Sequence, residues 1–451
     1  MKNKIMKRII LLIIVLICLF QNVGYAENTI TSGDINNVNS SKDIFKDVEA
    51  RNLLLAETKT GRILYERNIN EKIYPASLTK LMTAILVVEN CDLDEIVTIS
   101  ENAVFSVPME YVNANLQVGE ELTVEDLLYV MLIPSANDAA NALAEHVGGN
   151  IESFSAMMNS RAKELGCTGS NFTNPSGLHQ DEHYTTTKDL FLISQKAIEN
   201  NLIKKILGTT TYTLPSTNKY NKTSRIFTTT NYMIRKNLKN FYCDYCIGAK
   251  TGYTGEAKNC VVEFANKDGI ELTAIVMGEN AKVKGQKFYD AKKMFEYVFQ
   301  NYDNIKVAEK DEKYKTIKIN NGTKETKNLD IIYKDNVTVL KEKDNDSEIV
   351  EDVEYSKVLA PIQKGETIGK IVYTYDGINY ETELVANGDV EESRILTNLI
   401  KLLIVAVIIF IIYNLRKSNN KYGNHGKKYK NKKMKSKKTT IKNKKKTNRR
   451  R

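Results

Sequence analysis

Three observations predict an α+β protein, followed by a small β-rich domain and one long apolar segment. Between residues 78 and 198 apolar side chains recur at helical spacing, whereas after Gly248 they gather in β-branched runs of strand length. Beyond Asn304 the texture changes to short strand-like runs rich in Lys, Asp and Glu. No long helical period returns until residues 395–415, which are strongly apolar.

Taken in order, residues 52–57 and 62–66 are strand-like runs around Thr58-Lys59-Thr60-Gly61, a hairpin signal. Helical periodicity marks residues 78–88, 124–133, 139–146, 151–165 and 190–198. Residues 260–265 and 270–277 read as strands, and residues 287–301 as a closing helix. Runs at 358–365, 368–373 and 380–384 carry the β-rich domain. The expected partition is 45–304 for the α+β domain and 305–390 for the β-rich one.

The two ends of the chain speak to location. Lys2, Lys4, Lys7 and Arg8 precede an apolar run at 9–20 and then Gly24-Tyr25-Ala26, the pattern of a secretory signal peptide over residues 1–26. Residues 27–44 are rich in Asn, Ser and Thr and read as a linker. At about 1.5 Å per residue, segment 395–415 spans roughly 30 Å, one hydrocarbon core. Lys401 lies near its outer end, where a long stem can snorkel to the headgroups. Residues 416–451 carry 18 Lys and Arg and no acidic residue, so the positive-inside rule places this tail in the cytoplasm and the long middle segment outside.

The formal net charge of +10 is therefore misleading. Residues 27–415 hold 43 basic and 55 acidic side chains, and this mildly acidic exported part argues against a nucleic-acid partner. Five cysteines remain after Cys18: Cys91, Cys167, Cys243, Cys246 and Cys260. Cys243-Asp244-Tyr245-Cys246 fits a zinc half-site, a redox pair or a local disulfide. With no second CxxC to complete a zinc site, incidental structural cysteines are the preferred reading.

The candidate chemistry begins at Ser77-Leu78-Thr79-Lys80, just behind Pro75. A serine hydroxyl needs a base to become a nucleophile, and a spacing of three on a helix places the Lys80 amine on the Ser77 face. The same spacing occurs at Ser160–Lys163, Ser216–Lys219 and Ser418–Lys421, so companion motifs must decide. Ser135-Ala136-Asn137 and Lys250-Thr251-Gly252 follow in order. Ser-x-Asn recurs at Ser100, Ser216 and Ser418, and Lys-Thr-Gly at Lys59. Lys59 sits in a hairpin turn, whereas Lys250 approaches an apolar strand. Ser100 is read as lacking the helix that follows Ser135, Ser216 lies in a Thr/Asn-rich stretch, and Ser418 falls in the tail.

The ordered trio resembles the penicillin-recognising serine enzymes. Residues 73–83 (Ile-Tyr-Pro-Ala-Ser-Leu-Thr-Lys-Leu-Met-Thr), 132–140 (Leu-Ile-Pro-Ser-Ala-Asn-Asp-Ala-Ala), 174–178 (Asn-Pro-Ser-Gly-Leu) with His183-Tyr184, and 250–254 (Lys-Thr-Gly-Tyr-Thr) look like the low-molecular-mass penicillin-binding proteins, the serine-type D-alanyl-D-alanine carboxypeptidases. The match covers about residues 45–300, and the β-rich segment resembles that family's membrane-proximal domain. The resemblance implies a β-lactamase/transpeptidase-like catalytic domain, with an antiparallel sheet flanked by helices. It implies a substrate, the peptidoglycan stem pentapeptide ending in D-Ala-D-Ala, and β-lactams as covalent inhibitors. No cofactor and no metal are expected.

Residue by residue, the resemblance makes Ser77 the nucleophile, Lys80 the base, and Ser135 a proton relay to the departing D-alanine. Asn137 would hold the acylated chain, while Lys250, Thr251 and Gly252 would bind substrate, the first two at its terminal carboxylate. The oxyanion hole would use the backbone N–H groups of Ser77 and Tyr253. Where many relatives carry an arginine for the substrate carboxylate, Lys287 stands here; lysine keeps the charge and loses the bidentate fork.

A Ser-His-Asp hydrolase would need His146, His179 or His183; the last two flank a polar stretch read as a solvated loop, and no G-x-S-x-G elbow occurs. A class A-like β-lactamase would need a deacylating glutamate, yet residues 166–178 contain no acid. A non-catalytic wall-binding protein would tolerate loss of Ser77 or Lys80, and both are present.

Overall fold

The computed structural model describes residues 44–280, 283–393 and 398–416. The expected signal peptide lies outside these residues, as do all but the last residue of the linker and all but the first of the basic tail.

The organising element is a five-stranded antiparallel sheet built from β1 (Asn52–Glu57), β2 (Ile63–Arg67), β7 (Cys246–Thr254), β8 (Lys258–Lys267) and β9 (Ile270–Glu279), in the order β2-β1-β9-β8-β7. Strands β3 to β6 form two small hairpins outside it: Ile96–Thr98 with Glu121–Thr123, and Thr211–Leu214 with Arg225–Thr228. β1 reads Asn-Leu-Leu-Leu-Ala-Glu, and its four apolar residues are fully buried. An unbroken apolar run is what a strand covered on both faces requires. Leu54 and Ala56 join a core under a helical lobe made of Lys80–Asn90, Val124–Leu132, Asn137–Gly148, Ile151–Glu164 and Thr187–Glu199. Leu53 and Leu55, alternating to the other face, share it with the helix Gln286–Asn301, which buries Phe288, Ala291, Met294, Phe295 and Val298.

The helix Lys80–Asn90 is central to the lobe. Its first eight residues, Lys80 through Val87, are all buried, and only Lys80 and Thr83 among them are polar. β7 is an edge strand, so among the described residues its outer backbone groups have no strand partner.

A second antiparallel sheet follows, formed by β11 (Lys313–Lys318), β12 (Asn328–Tyr333), β14 (Val350–Tyr355), β15 (Thr367–Tyr375) and β16 (Ile378–Ala386), beside a pair of β10 (Tyr302–Ala308) and β13 (Val337–Glu342). The expected boundary near residue 305 falls inside β10. The hairpin β1–β2 docks on this domain. Arg62 donates to the Leu340 carbonyl (2.8 Å) and to Asp376 (2.9 Å), and the Tyr380 hydroxyl donates to Glu57 (2.9 Å). The helix Asn398–Arg416 is long and apolar enough to cross a membrane by length and composition.

One expectation is corrected. Ser100 does precede a helix, Glu101–Phe105, and caps it by accepting from the Ala103 N–H (2.9 Å). The helix is a single turn held by that cap, too short to leave a periodic signal in the sequence.

Candidate active site

The site is assembled where a strained turn meets the edge strand. Ala76 has a left-handed backbone (φ 46°), uncommon for a residue with a Cβ. Gly177 presses on it: a Cβ there would lie 1.8 Å from the Ala76 carbonyl oxygen. The next residues form a 3-10 turn, Ala76–Thr79, and Lys80 opens the α-helix. Residues three apart eclipse in a 3-10 turn, which is why Lys80 Nζ stands 3.0 Å from Ser77 Oγ.

The Lys80 amine is fully buried and has two further partners, Asn137 Oδ1 at 2.7 Å and the Ser176 carbonyl at 2.7 Å. Those two oxygens can only accept. The Ser77 hydroxyl can donate. Three oxygens surround the nitrogen; in the neutral form the amine would donate to the two pure acceptors and turn its lone pair to the Ser77 proton. Burial holds the Lys80 amine well below the usual lysine range, the Lys250 cation lowers it further, and Asp138 opposes both. The positive end of the helix acts in the same direction as Lys250.

Asn137 is positioned by its neighbours. Its N–H donates to the Val112 carbonyl (2.9 Å), and the buried Asp138 accepts from the N–H groups of Ala114 (2.9 Å) and Leu116 (3.1 Å). Ser135 is left-handed (φ 71°) and accepts from Lys250 Nζ at 2.7 Å. Lys250 is fully buried in the middle of β7, its pKa lowered to about 7 by burial and then by the Lys287 charge. Thr251 pairs its hydroxyl with that of Thr230 (2.6 Å). At Gly252 a Cβ would sit 3.2 Å from the Ser77 nitrogen and 3.1 Å from the Ala76 Cβ, so glycine lets the strand run this close to Ser77 without pushing its neighbours aside. Tyr253, next along, is exposed. Lys287 enters from the start of the closing helix, half-buried, with Nζ 3.5 Å from Asn259 Oδ1.

Ser77, Lys80 and Asn137 thus form one hydrogen-bonded group, and Ser135 with Lys250 a second. Among the described residues no hydrogen bond joins Ser135 to Lys80. Thr251, Gly252 and Tyr253 extend the second group along the strand, while Lys287 touches it only through its charge.

Sequence reasoning left several contributors without a role. The loop Asn174-Pro175-Ser176-Gly177 clamps the helix that Lys80 opens: the Thr83 hydroxyl donates to the Pro175 carbonyl (2.7 Å), and Asn174 Oδ1 gathers the N–H groups of Ser176 and Gly177. His183, expected in a solvated loop, is buried, and its pKa is pushed down to about 4, chiefly by burial. Its Nδ1 accepts from the Thr173 N–H (3.0 Å), which puts the ring proton on Nε2, facing the Thr79 hydroxyl at 2.8 Å. Thr79 in turn donates to the Ala76 carbonyl (2.8 Å). His183 therefore braces the strained turn, and the polar residues around it concealed this. His146 pairs with Glu95 (2.8 Å) beside Cys91, and His179 lies edge-on to Tyr74; neither is hydrogen-bonded to Ser77.

Comparison with known proteins places the chain among characterised relatives. A family model described as D-alanyl-D-alanine carboxypeptidase matches residues 36–281, more than half of the chain, and one described as the C-terminal domain of penicillin-binding protein 5 matches residues 302–392. D-alanyl-D-alanine carboxypeptidase DacF of Bacillus subtilis is 32% identical over 358 residues, covering 77% of this chain and 88% of its own. Among solved structures, penicillin binding protein 5 from Haemophilus influenzae superposes with a TM-score of 0.59 at 27% identity, over 76% of this chain and 98% of that one. PBP3 from Streptococcus pneumoniae shares the fold with a TM-score of 0.68 at 23% identity, over 76% of this chain and 100% of that one. With that family model over more than half of the sequence and a relative 32% identical over 77% of it, the chain belongs to the D-alanyl-D-alanine carboxypeptidase family.

Proposed function

We propose that this protein removes the terminal D-alanine from peptidoglycan stem pentapeptides through an acyl-enzyme on Ser77. The single observation that supports this most is the fully buried Lys80 amine, 3.0 Å from the Ser77 hydroxyl and 2.7 Å from each of two oxygens that can only accept. Ser77 Oγ attacks the carbonyl carbon of the penultimate D-alanine, and its proton passes to Lys80. The negative oxygen that forms is held by the N–H groups of Ser77 and Tyr253. Collapse of this intermediate breaks the peptide bond. The departing amine takes a proton by way of Ser135, and Lys80 returns to its neutral form. Lys80 then draws a proton from water, which attacks the ester and releases the shortened peptide with Ser77 restored.

Lys250 and Thr251 bind the substrate's terminal carboxylate, with Lys287 contributing charge from behind. Asn137 holds the acylated chain, which lies along the free edge of β7. The loop at 166–178 carries no acid, which supports slow deacylation from penicillin over β-lactamase activity. The domain partition places the carboxypeptidase domain at 45–304 and a membrane-proximal spacer at 305–390. The apolar helix anchors the chain, with the catalytic domain outside and the basic tail inside the cell.

The test uses the detergent-solubilised full chain and labelled penicillin. Covalent labelling is expected and should vanish in Ser77→Ala with the fold intact by circular dichroism; undiminished labelling of that variant would falsify the assignment. Release of D-alanine from a pentapeptide ending in D-Ala-D-Ala separates the carboxypeptidase from a β-lactamase and from an inert binder.

A further inference from the structure

The CxxC at residues 243–246 takes no part in the chemistry above, yet it sits at the root of the substrate strand. Cys246 is the first residue of β7, four before Lys250. Both thiols are buried, and their sulfurs lie 3.0 Å apart, at the ends of a turn closed by Cys246 N–H on the Cys243 carbonyl (3.3 Å). The turn is gripped on two sides: the Tyr245 carbonyl accepts from Asn266 N–H (2.8 Å), and the Tyr245 ring meets Phe299 edge-on. Cys243 itself donates its N–H to the Met233 carbonyl (2.8 Å).

That last bond matters because residues 230–233 touch the site directly. Thr230 pairs with Thr251, Asn231 donates to the buried Glu263 (2.8 Å), and Met233 N–H donates to Asn231 (2.8 Å). Whatever fixes Cys243 to Cys246 therefore fixes this segment against the strand that carries Lys250 and Thr251. We propose that Cys243 and Cys246 form a disulfide in the exported enzyme and lock segment 230–243 onto β7.

The surroundings favour a neutral disulfide over thiolate chemistry. Glu263 is fully buried beside the pair, with its Oε2 unpartnered among the described residues, and a thiolate there would meet a second potential anion. A zinc site lacks a third ligand, since neither cysteine belongs to a group of three metal donors among the described residues. In the folded turn burial pushes the Cys246 thiol up, which further disfavours a thiolate there. The step is thiol–disulfide exchange with an external small-molecule disulfide, before the turn is buried. Cys243 thiolate attacks one sulfur and the other leaves as a thiolate. Cys246, having lost its proton, then displaces the remaining sulfur from Cys243. Two protons and two electrons leave the protein, and the donor disulfide becomes a pair of thiols.

This inference rests on the proposed export only for its oxidant. Full-length protein, exported and purified in detergent without reductant, is denatured in iodoacetamide and digested with trypsin. The peptide 240–250, which holds both thiols, should be two hydrogens lighter than its dithiol form and unalkylated until reductant is added. Double alkylation without reductant, or one zinc ion per chain on the unreduced protein, overturns the disulfide. Reduction with a phosphine, and separately the variant Cys243→Ser with Cys246→Ser, should slow acylation by penicillin several-fold; oxidised glutathione should restore the rate in the reduced protein alone. An unchanged rate after verified reduction overturns the locking role. Labelled Ser77 in a protein with two free thiols would refute the disulfide and leave the nucleophile standing.

Discussion

The two five-stranded sheets of this protein treat charge in opposite ways. In the first, Lys250 and Glu263 lie fully buried on neighbouring strands, and Lys80 is buried at the helix beside them. In the second, charged side chains stay outside: Lys313 pairs with Asp330 (2.8 Å), Lys334 with Glu383 (2.8 Å) and Lys357 with Glu366. Its core is aliphatic and tyrosine-rich, with the Tyr333 and Tyr373 hydroxyls bonded to each other. Removing a charge from water costs several kcal/mol, so a buried lysine without a carboxylate partner needs a reason beyond stability. Depressed amine pKa values are that reason in the first sheet; the second needs only solubility and docking.

The contrast is broken most severely at Lys250. Lys250→Ala should lower kcat/KM for a D-Ala-D-Ala peptide by about 30- to 1000-fold, the scale of removing one buried charged partner. Because this amine titrates at about 7 in the free enzyme, kcat/KM should fall on the alkaline side as the cation is lost. Lys250→Arg remains charged and should carry that limb upward; a limb that stays put in D-alanine release assays means another group binds the carboxylate.

A smaller effect is expected at His183. The folded ring stays neutral down to about pH 4, whereas an unfolded histidine protonates near 6.5. Between those values the unfolded state binds more protons, so stability falls as pH drops, by about 3 kcal/mol in all. Denaturant midpoints at pH 7 and 4.5 should record this loss, and His183→Gln, which can still accept and donate, should flatten it. A histidine in the solvated loop first expected would show no such slope.

The smallest effect belongs to the second sheet. Lys334→Ala should leave the melting temperature and penicillin acylation unchanged, because an exposed ion pair contributes little net free energy. A clear drop in either would show that surface charge in this domain does more than keep it soluble.

Much of the first domain is readable from residue order because its signals are local. The β1–β2 hairpin, the central helices and strands β8 and β9 announce themselves through turn residues and through 3.6- or 2-residue periods. The one-turn helix after Ser100, the seven-residue helix Asn201–Leu207 and the brief hairpins at 96–123 and 211–228 are too short for a period to accumulate. Most of β10 to β14 mixes polar residues into half-exposed strands, so composition hid them. At the site, the motifs named Ser77, Lys80, Ser135, Asn137 and Lys250 but could not say which distant oxygens the two amines meet. Ser135 accepts from Lys250 across 115 positions, and Lys80 donates to the Ser176 carbonyl across 96. Spacing carries no information at that range.

The sequence by itself determined the chemistry available: a serine, two lysines and the glycine that lets a strand approach, in an order that resembles one enzyme family. Tertiary structure alone decided protonation and aim. Desolvation of Lys80, the left-handed turn at Ala76 under Gly177, and the brace through Thr79 and His183 each arise from segments far apart in the chain. Charge state and direction depend on the dielectric and on the partners in space, and those exist only once the chain has closed around them.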